Sequence, residues 1–327
     1  MHVLIVGAGA VGLTYGQAFA KAGCAVSYLI KPHHRASLEG GVTMLRHHLL
    51  WPGLTEERFT GFGLFDTPDA ASFEGVDQVW ITVPSNALDP QWMEALKQSL
   101  PETAVIFGLQ PGPEDDARLA RMFGADRLVK GVIGFLAYQY PLPGKTDAKG
   151  RSGIAMLIPP GAGGLGPSDH PAVIEAQKQL ATGGLKVNLS DTLREDYLTV
   201  SALSLSHMAA LELAGWSFRA FRKGEAGART LAREAAFEAL TIIDAHLGRT
   251  PNPARNRRLA GLGPLVSRVA GLVPSIDLET YLGFHFSKVG AQTRTVLRDL
   301  IALGRGSNLS VSALQALLAA LEERDNA

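Results

Sequence analysis

The feature that most constrains this chain is its opening, "MHVLIVGAGAVGLTYGQAF". Five strand-forming residues run into Gly7, Gly9 and Gly12, and a helix-forming segment comes at once after them. G-x-G-x-x-G is informative in this strand-turn-helix context, because each glycine has a separate steric task. Gly7 permits the tight turn, Gly9 lets the backbone approach a pyrophosphate, and Gly12 allows the helix to pack closely on the strand. Free N–H groups at the helix start and the helix dipole then favour a negative charge. Gly7, Gly9, Ala10, Val11 and Gly12 are therefore expected to line the phosphates of a dinucleotide.

The next 170 or so residues agree with a nucleotide-binding sheet. Short β-rich runs at 2–6, 25–30, 78–83 and 104–109 alternate with helix-length segments, the signature of a doubly wound parallel sheet of Rossmann type. The runs carry Val and Ile with little polar alternation, as strands covered on both faces do. "GVIGFLAYQYPLPGKTDAKGRSGIAMLI" reads as two strands around a loop, and "PPGAGGLGPSD" as a flexible surface loop. From about Ser190 the pattern turns helical, with Thr192 and Glu195 at capping-box spacing. The expected organisation is a dinucleotide-binding α/β domain over residues 1–189 and an all-helical C-terminal domain over 190–327.

The end of the second strand bears on which dinucleotide is taken. An NAD site places an Asp or Glu there for the ribose hydroxyls. This chain has Ile30, Lys31, Pro32, His33, His34, Arg35. Lys31 and Arg35 can pair with a 2′-phosphate, and no carboxylate within that stretch repels one, so NADP(H) is expected rather than NAD(H). The bland reading of the same residues is a solvated loop.

Composition narrows the partners. The 31 basic and 31 acidic residues cancel, which leaves no global positive field to gather nucleic acid or an anionic membrane surface. The single cysteine, Cys24, makes no internal disulfide and reads as a buried structural thiol, in keeping with a reducing, cytoplasmic setting. "PLPGKT" lacks the earlier glycine of a phosphate-binding P-loop, since residue 139 is Gln. The pairs His33-His34 and His47-His48 lack metal-ligand spacing and read as surface, so no metal is expected.

In its order of parts the chain resembles the ketopantoate reductase (2-dehydropantoate 2-reductase) family. "VGAGAVG" and Lys31 match that family, "VWITVPSNALD" is similar to its fourth-strand segment, and "FGLQPGPEDD" resembles its Q-N-G turn with Gln110 and Gly112 kept. The resemblance implies a cytoplasmic NADPH-dependent reductase of a small 2-keto acid or related carbonyl, with a helical second domain and substrate held between the two domains. It adds Pro84, Gln110 and Gly112 to the cofactor-binding residues, and it brings a homodimer and pantothenate biosynthesis into the expectation. The catalytic letters differ. Pro111 stands where the family has asparagine, Pro84 where it has a lysine, and Thr199 at or next to its catalytic lysine; "SKVGAQTRTVL" replaces its E-x-D-x-x-N-G signature.

A carbonyl reductase still needs a proton donor, usually Lys, His or Tyr. His285, Lys288 and Gln292 lie within about sixty degrees of one another on a regular helix, so Lys288 is the first expected catalytic residue, with His285 and His207 as substitutes. Each also has a plain reading: a solvated polar stripe for the first three, a satisfied core histidine for His207, and backbone-bonded hydroxyls for Thr199 and Ser206. Two rival functions remain open, a reductase of an imine or larger ketone and a non-catalytic NADP-binding sensor or scaffold.

Overall fold

The segment "AVGLTYGQAFAK" is apolar nearly all round, a pattern that suits a helix covered on every side. The computed structural model, which describes residues 1–49, 53–161, 163–263 and 276–326, shows that covering. Helix Ala10–Lys21 buries every residue from Gly12 to Phe19. It comes after strand β1 (His2–Val6) and leads to β2 (Ala25–Leu29). By contact the chain divides into two units, one of residues 1–110 with 114–194, the other of 111–113 with 195–327.

The first unit contains β3 (Val42–His47), β4 (Leu54–Phe59), β5 (Gly63–Phe65), β6 (Gln78–Ile81), β7 (Val105–Gly108), β8 (Leu128–Ile133), β9 (Leu136–Tyr140), β10 (Gly153–Leu157), β11 (Gly163–Gly166) and β12 (Asn188–Leu189). Eight strands form the main sheet in the order β12-β11-β8-β7-β6-β1-β2-β5. All its pairings are parallel except β8 with β11. The expected Rossmann-type sheet is present, with its four leading strands within a residue or two of their predicted spans. Trp80 anchors the core: its ring lies 4.3 Å from Phe107 at 7° and 4.8 Å from Tyr15, and all three side chains are fully buried.

Two expectations are corrected. A second sheet of order β4-β3-β10-β9 lies across helix Ala10–Lys21, so "GVIGFLAYQY…" contains three strands where two were expected. β3 pairs in parallel with β10 across more than a hundred residues of chain, a partnership that no local pattern announces. "PPGAGGLGPSD", read as a flexible loop, supplies strand β11. There glycine is a packing requirement: a Cβ at Gly164 would stand 2.5 Å from Leu193, and one at Gly166 would stand 2.3 Å from the Ser190 carbonyl oxygen.

His47, read as a surface residue, is buried within the second sheet and hydrogen-bonds the Tyr138 hydroxyl at 2.7 Å. Burial, reinforced by the Arg151 charge, lowers its pKa to about 4. The unfolded chain takes up a proton near pH 6.5 and the folded one only near 4, so acid favours unfolding through that window. His47 should therefore remove on the order of 3 kcal/mol of stability as pH falls from about 6.5 to about 4. Urea unfolding of wild type and His47→Gln at several pH values tests this; equal acid slopes in the two proteins would count against it.

The second unit is helical: Leu193–Leu213, whose first two residues belong to the first unit, then Phe218–Lys223, Ala228–His246, Pro253–Ala260, Leu278–Gly306 and Ser312–Asp325. Helix Ala228–His246 forms its centre, because Ala228, Ala232, Ala235, Ala236 and Ala239 are wholly buried and let neighbouring helices approach closely. Arg294, also buried, is clamped by Glu212 and Asp325 through bonds of 2.7 to 3.0 Å, tying three helices together. Among the described residues, no helix is long and apolar enough to cross a membrane.

Candidate functional site

The glycine turn closes on the carboxyl ends of β1 and β6. Gly7 has φ +100°, a conformation that favours glycine, and a Cβ there would meet Val83 at 3.0 Å. The Thr82 hydroxyl donates to the carbonyls of Val6 at 2.8 Å and Gly7 at 2.9 Å, fixing the turn from the neighbouring strand. Gly12 packs so tightly that a Cβ would fall 2.2 Å from the Gly7 oxygen.

Gly9 is different. It caps helix Ala10–Lys21 in an extended conformation, and no atom lies within 4 Å of the place its Cβ would occupy. No side chain caps this helix start and no acidic residue lies in its first turn. The N–H groups of Ala10, Val11 and Gly12 therefore lack intrahelical acceptors and border an open cradle, an arrangement that suits a pyrophosphate.

At the end of β2, Lys31 is exposed and makes no hydrogen bond or ion pair among the described residues. Arg35 is engaged. Its Nε donates to Asp66 Oδ2 at 3.2 Å and its Nη2 to the Leu64 carbonyl at 3.2 Å. Asp66 is the carboxylate that sequence reasoning missed, because it reaches the β2 terminus from β5. The pairings that could have revealed it are Leu29 with Phe65 and the 2.8 Å bond from the Ile30 N–H to the Phe65 carbonyl.

After β6, Pro84 begins a 3₁₀ turn over Ser85–Ala87. Gln110 is buried, with its amide nitrogen donating to the carbonyls of Ile81 at 2.9 Å and Val83 at 2.8 Å while its Oε1 accepts from the Leu109 N–H at 3.0 Å. The side chain thus staples the ends of β6 and β7. Gly112 is buried in the adjoining turn.

Beneath that edge lies a charge network that sequence reasoning also missed. Lys130 of β8, buried, donates to the Gln110 carbonyl at 2.7 Å and to Asp116 at 2.8 Å, and Arg194 reaches the other Asp116 oxygen at 3.1 Å. Asp115, fully buried, accepts from Ser85 at 2.7 Å and from Arg118 at 2.9 Å. Together these bonds hold the loops after β6 and β7 in fixed positions at the carboxyl edge, where open α/β sheets bind ligands.

The helical unit sets His207 apart from His285 and Lys288, which share helix Leu278–Gly306. Both His207 nitrogens face main-chain carbonyls, Nδ1 that of Leu203 at 2.8 Å and Nε2 that of Ala260 at 3.1 Å, while burial lowers its pKa. That ring is spent on structure. Lys288 is exposed, with its ammonium 3.9 Å over the Phe284 ring. His285 is half-buried, stacked on Tyr281 at 5.5 Å and edge-on to Phe286 at 5.2 Å, and neither ring nitrogen has a hydrogen bond among the described residues. Burial, then the Lys288 charge, lowers its pKa.

Val289 departs from helical geometry, with φ −109° and ψ 16°, inside helix Leu278–Gly306. Gln292 therefore lies beyond a kink, and the regular angular spacing that joined it to His285 and Lys288 does not apply. The Thr199 and Ser206 hydroxyls bond the carbonyls of Glu195 and Ala202 at 2.9 Å, the default for hydroxyls in helices. Glu195, expected as a cap, keeps Oε2 buried with no hydrogen-bond partner among the described residues.

Comparison with known proteins agrees with this architecture. Residues 3–156 match the family model for ketopantoate reductase PanE/ApbA. No curated protein matches the sequence. Among solved structures, a 2-dehydropantoate 2-reductase from Geobacter metallireducens GS-15 is 18% identical with a TM-score of 0.71, covering 99% of this chain and 100% of that one. A PanE/ApbA family ketopantoate reductase from Ralstonia eutropha JMP134 is 20% identical with a TM-score of 0.69, covering 98% and 97%. A D-mandelate dehydrogenase, solved with NADH and anilino(oxo)acetate, is 12% identical with a TM-score of 0.75, covering 100% and 98%. At such identities these structures show a shared fold, and the match to the ketopantoate reductase PanE/ApbA family model covers residues 3–156, a little under half of the chain.

Proposed function

We propose that this protein is an NADPH-dependent reductase of a small 2-keto acid or related carbonyl. The observation that carries the reading is the open cradle at Gly9, bordered by uncapped helix N–H groups and free of any side chain within 4 Å of the missing Cβ. Gly7, Gly9, Ala10, Val11 and Gly12 hold the pyrophosphate, Lys31 meets the 2′-phosphate, and Pro84, Gln110 and Gly112 shape the loops that support the nicotinamide end. The bound nicotinamide supplies a hydride. Delivered to the carbonyl carbon, with one proton to its oxygen, that hydride converts a 2-keto acid into a 2-hydroxy acid and leaves NADP⁺.

The proton donor we propose is His285, with Lys288 beside it to attract an anionic substrate. His207 is set aside because its buried ring points both nitrogens at main-chain carbonyls, leaving neither directed at a substrate. The family resemblance also supports a homodimer in the cytoplasm.

Titration with NADPH and NADH tests the cofactor assignment. NADPH should bind more tightly, and Lys31→Ala should weaken NADPH about ten- to a hundredfold while sparing NADH, since a charge-assisted hydrogen bond contributes about 1.5 to 3 kcal/mol. Equal affinities in the wild type would reject it. NADPH oxidation over a panel of 2-keto acids, ketones and imines then identifies the electrophile.

A reductase of an imine or larger ketone is the second reading, and a non-catalytic NADP-binding sensor or scaffold the third. Turnover of imines or larger ketones alone would select the second, and binding of NADPH without turnover of any class would select a sensor or scaffold.

A further inference from the structure

We infer that Asp66, just past the strand beside the cofactor-discriminating one, sets how strongly this site prefers a 2′-phosphorylated nucleotide. The inference rests on the nucleotide site proposed above. In a Rossmann sheet the adenosine ribose lies at the carboxyl end of the second strand, and the charges gathered there decide between a hydroxyl and a phosphate. Judged from the strand alone, Lys31 and Arg35 offer two cations.

The fold brings in a third charge. β5 runs parallel to β2 with Leu29 opposite Phe65, so Asp66 continues the register opposite Ile30, one residue before Lys31, at the same edge of the sheet. Asp66 Oδ2 accepts from Arg35 Nε at 3.2 Å, and the Leu64 carbonyl takes Nη2 at 3.2 Å, which turns the guanidinium toward β5. Both partners of the pair remain about a third exposed, at 35% and 37% of their side-chain surface, so the pair lies where a nucleotide can reach it. Lys31 is then the unpaired cation at this edge among the described residues.

A 2′-phosphate arriving here meets Lys31 together with a neutralised pair, and its own negative charge is repelled by Asp66. A ribose hydroxyl meets no such penalty, and a carboxylate is the acceptor that NAD sites use for it. Asp66 thus reduces the discrimination that Lys31 provides. Removing its charge releases Arg35 to act as a second phosphate ligand through a fork that suits phosphate geometry.

The test is calorimetric titration of wild type, Asp66→Asn, Arg35→Ala and the double variant with 2′,5′-ADP and with 5′-AMP, two probes that differ by one phosphate and require no catalysis. Asp66→Asn should tighten 2′,5′-ADP about five- to tenfold and leave 5′-AMP within about twofold, as expected for one added charge-assisted contact at an exposed edge. Arg35→Ala should change 2′,5′-ADP little in the wild type and abolish the gain in the Asp66→Asn background. The gain should also shrink as salt rises.

Unchanged 2′,5′-ADP affinity in Asp66→Asn, or equal weakening of both probes, would overturn the role of Asp66 while leaving the nucleotide site intact. Failure of either probe to bind any variant would overturn the site itself and the inference with it. Thermal melting of each variant identifies loss of fold, and Asp66→Ser, which also removes the charge, provides an independent measurement if Asp66→Asn melts early.

Discussion

Gly12→Ala is expected to destabilise the N-terminal unit by about 3 kcal/mol or more, whereas Gly9→Ala, three residues away, should fold normally and lose the nucleotide. The contrast arises from the surroundings that each added methyl would meet. At Gly12 it would stand 2.2 Å from the Gly7 carbonyl oxygen, 2.8 Å from the Thr82 hydroxyl and 3.2 Å from Ile5. The carbonyl cannot swing aside cheaply, because Thr82 holds it at 2.9 Å and Gly7 is already at φ +100°. Overpacking of this kind costs about 1 to 3 kcal/mol, and loss of the Thr82 bond adds about 1 kcal/mol.

At Gly9 the methyl meets nothing within 4 Å, and φ −74° suits alanine as well as glycine. Stability should therefore change by no more than about 0.5 kcal/mol. The pyrophosphate has to approach at that point, so NADPH affinity should fall at least about tenfold. Urea unfolding and calorimetry separate the two effects. A folded Gly9→Ala protein with wild-type NADPH affinity would move the nucleotide away from this turn, and a Gly12→Ala protein of full stability would show that the strand-helix contact yields more easily than its geometry implies.

His285→Asn is expected to lower turnover on any accepted substrate about a hundredfold while leaving NADPH affinity unchanged, since removing a positioned proton donor typically costs a factor of a hundred or more. The expected pH dependence has a definite sign. Burial and the Lys288 charge hold the His285 pKa below its ordinary 6.5, so the donor form becomes populated only as pH falls below that value. Reductive turnover should rise as pH is lowered through that region, and His285→Asn should remove the rise.

Lys288→Ala should act differently. Its ammonium rests on the Phe284 ring at the surface, so its loss should raise KM for an anionic substrate more than it lowers kcat. It should also relieve the smaller, charge-borne part of the His285 pKa depression, leaving the larger part due to burial, and shift the pH limb modestly upward. Wild-type turnover and an unaltered pH limb in His285→Asn would remove both residues from the chemistry and favour the non-catalytic reading.

The features legible in the sequence are those whose physical cause lies within a few residues of chain. The strand, glycine turn and helix of residues 2–21 are such a case, because turn geometry, helix start and close packing are each imposed by a glycine at a fixed offset. The strands beginning at Ala25, Gln78 and Val105 are similar, since burial on both faces shows in their composition. Hydroxyl positions Thr199 and Ser206 also reflect local chemistry, through bonds to carbonyls one helical turn back.

Tertiary structure decided the features in which distant segments meet. Sheet pairing made a glycine-rich stretch into β11, put β3 beside β10, and buried His47 against Tyr138. It also carried Asp66 to the end of β2, where it takes up one of the two cations that a reading along the strand assigns to a phosphate. In the helical unit, a kink at Val289 broke the periodicity that linked Gln292 to His285, and the Ala260 carbonyl closed the second nitrogen of His207. The strand pairings and the Asp66 and His207 contacts depend on residues far apart in the chain, and such meetings are set by the burial and pairing of whole elements, which no local pattern encodes.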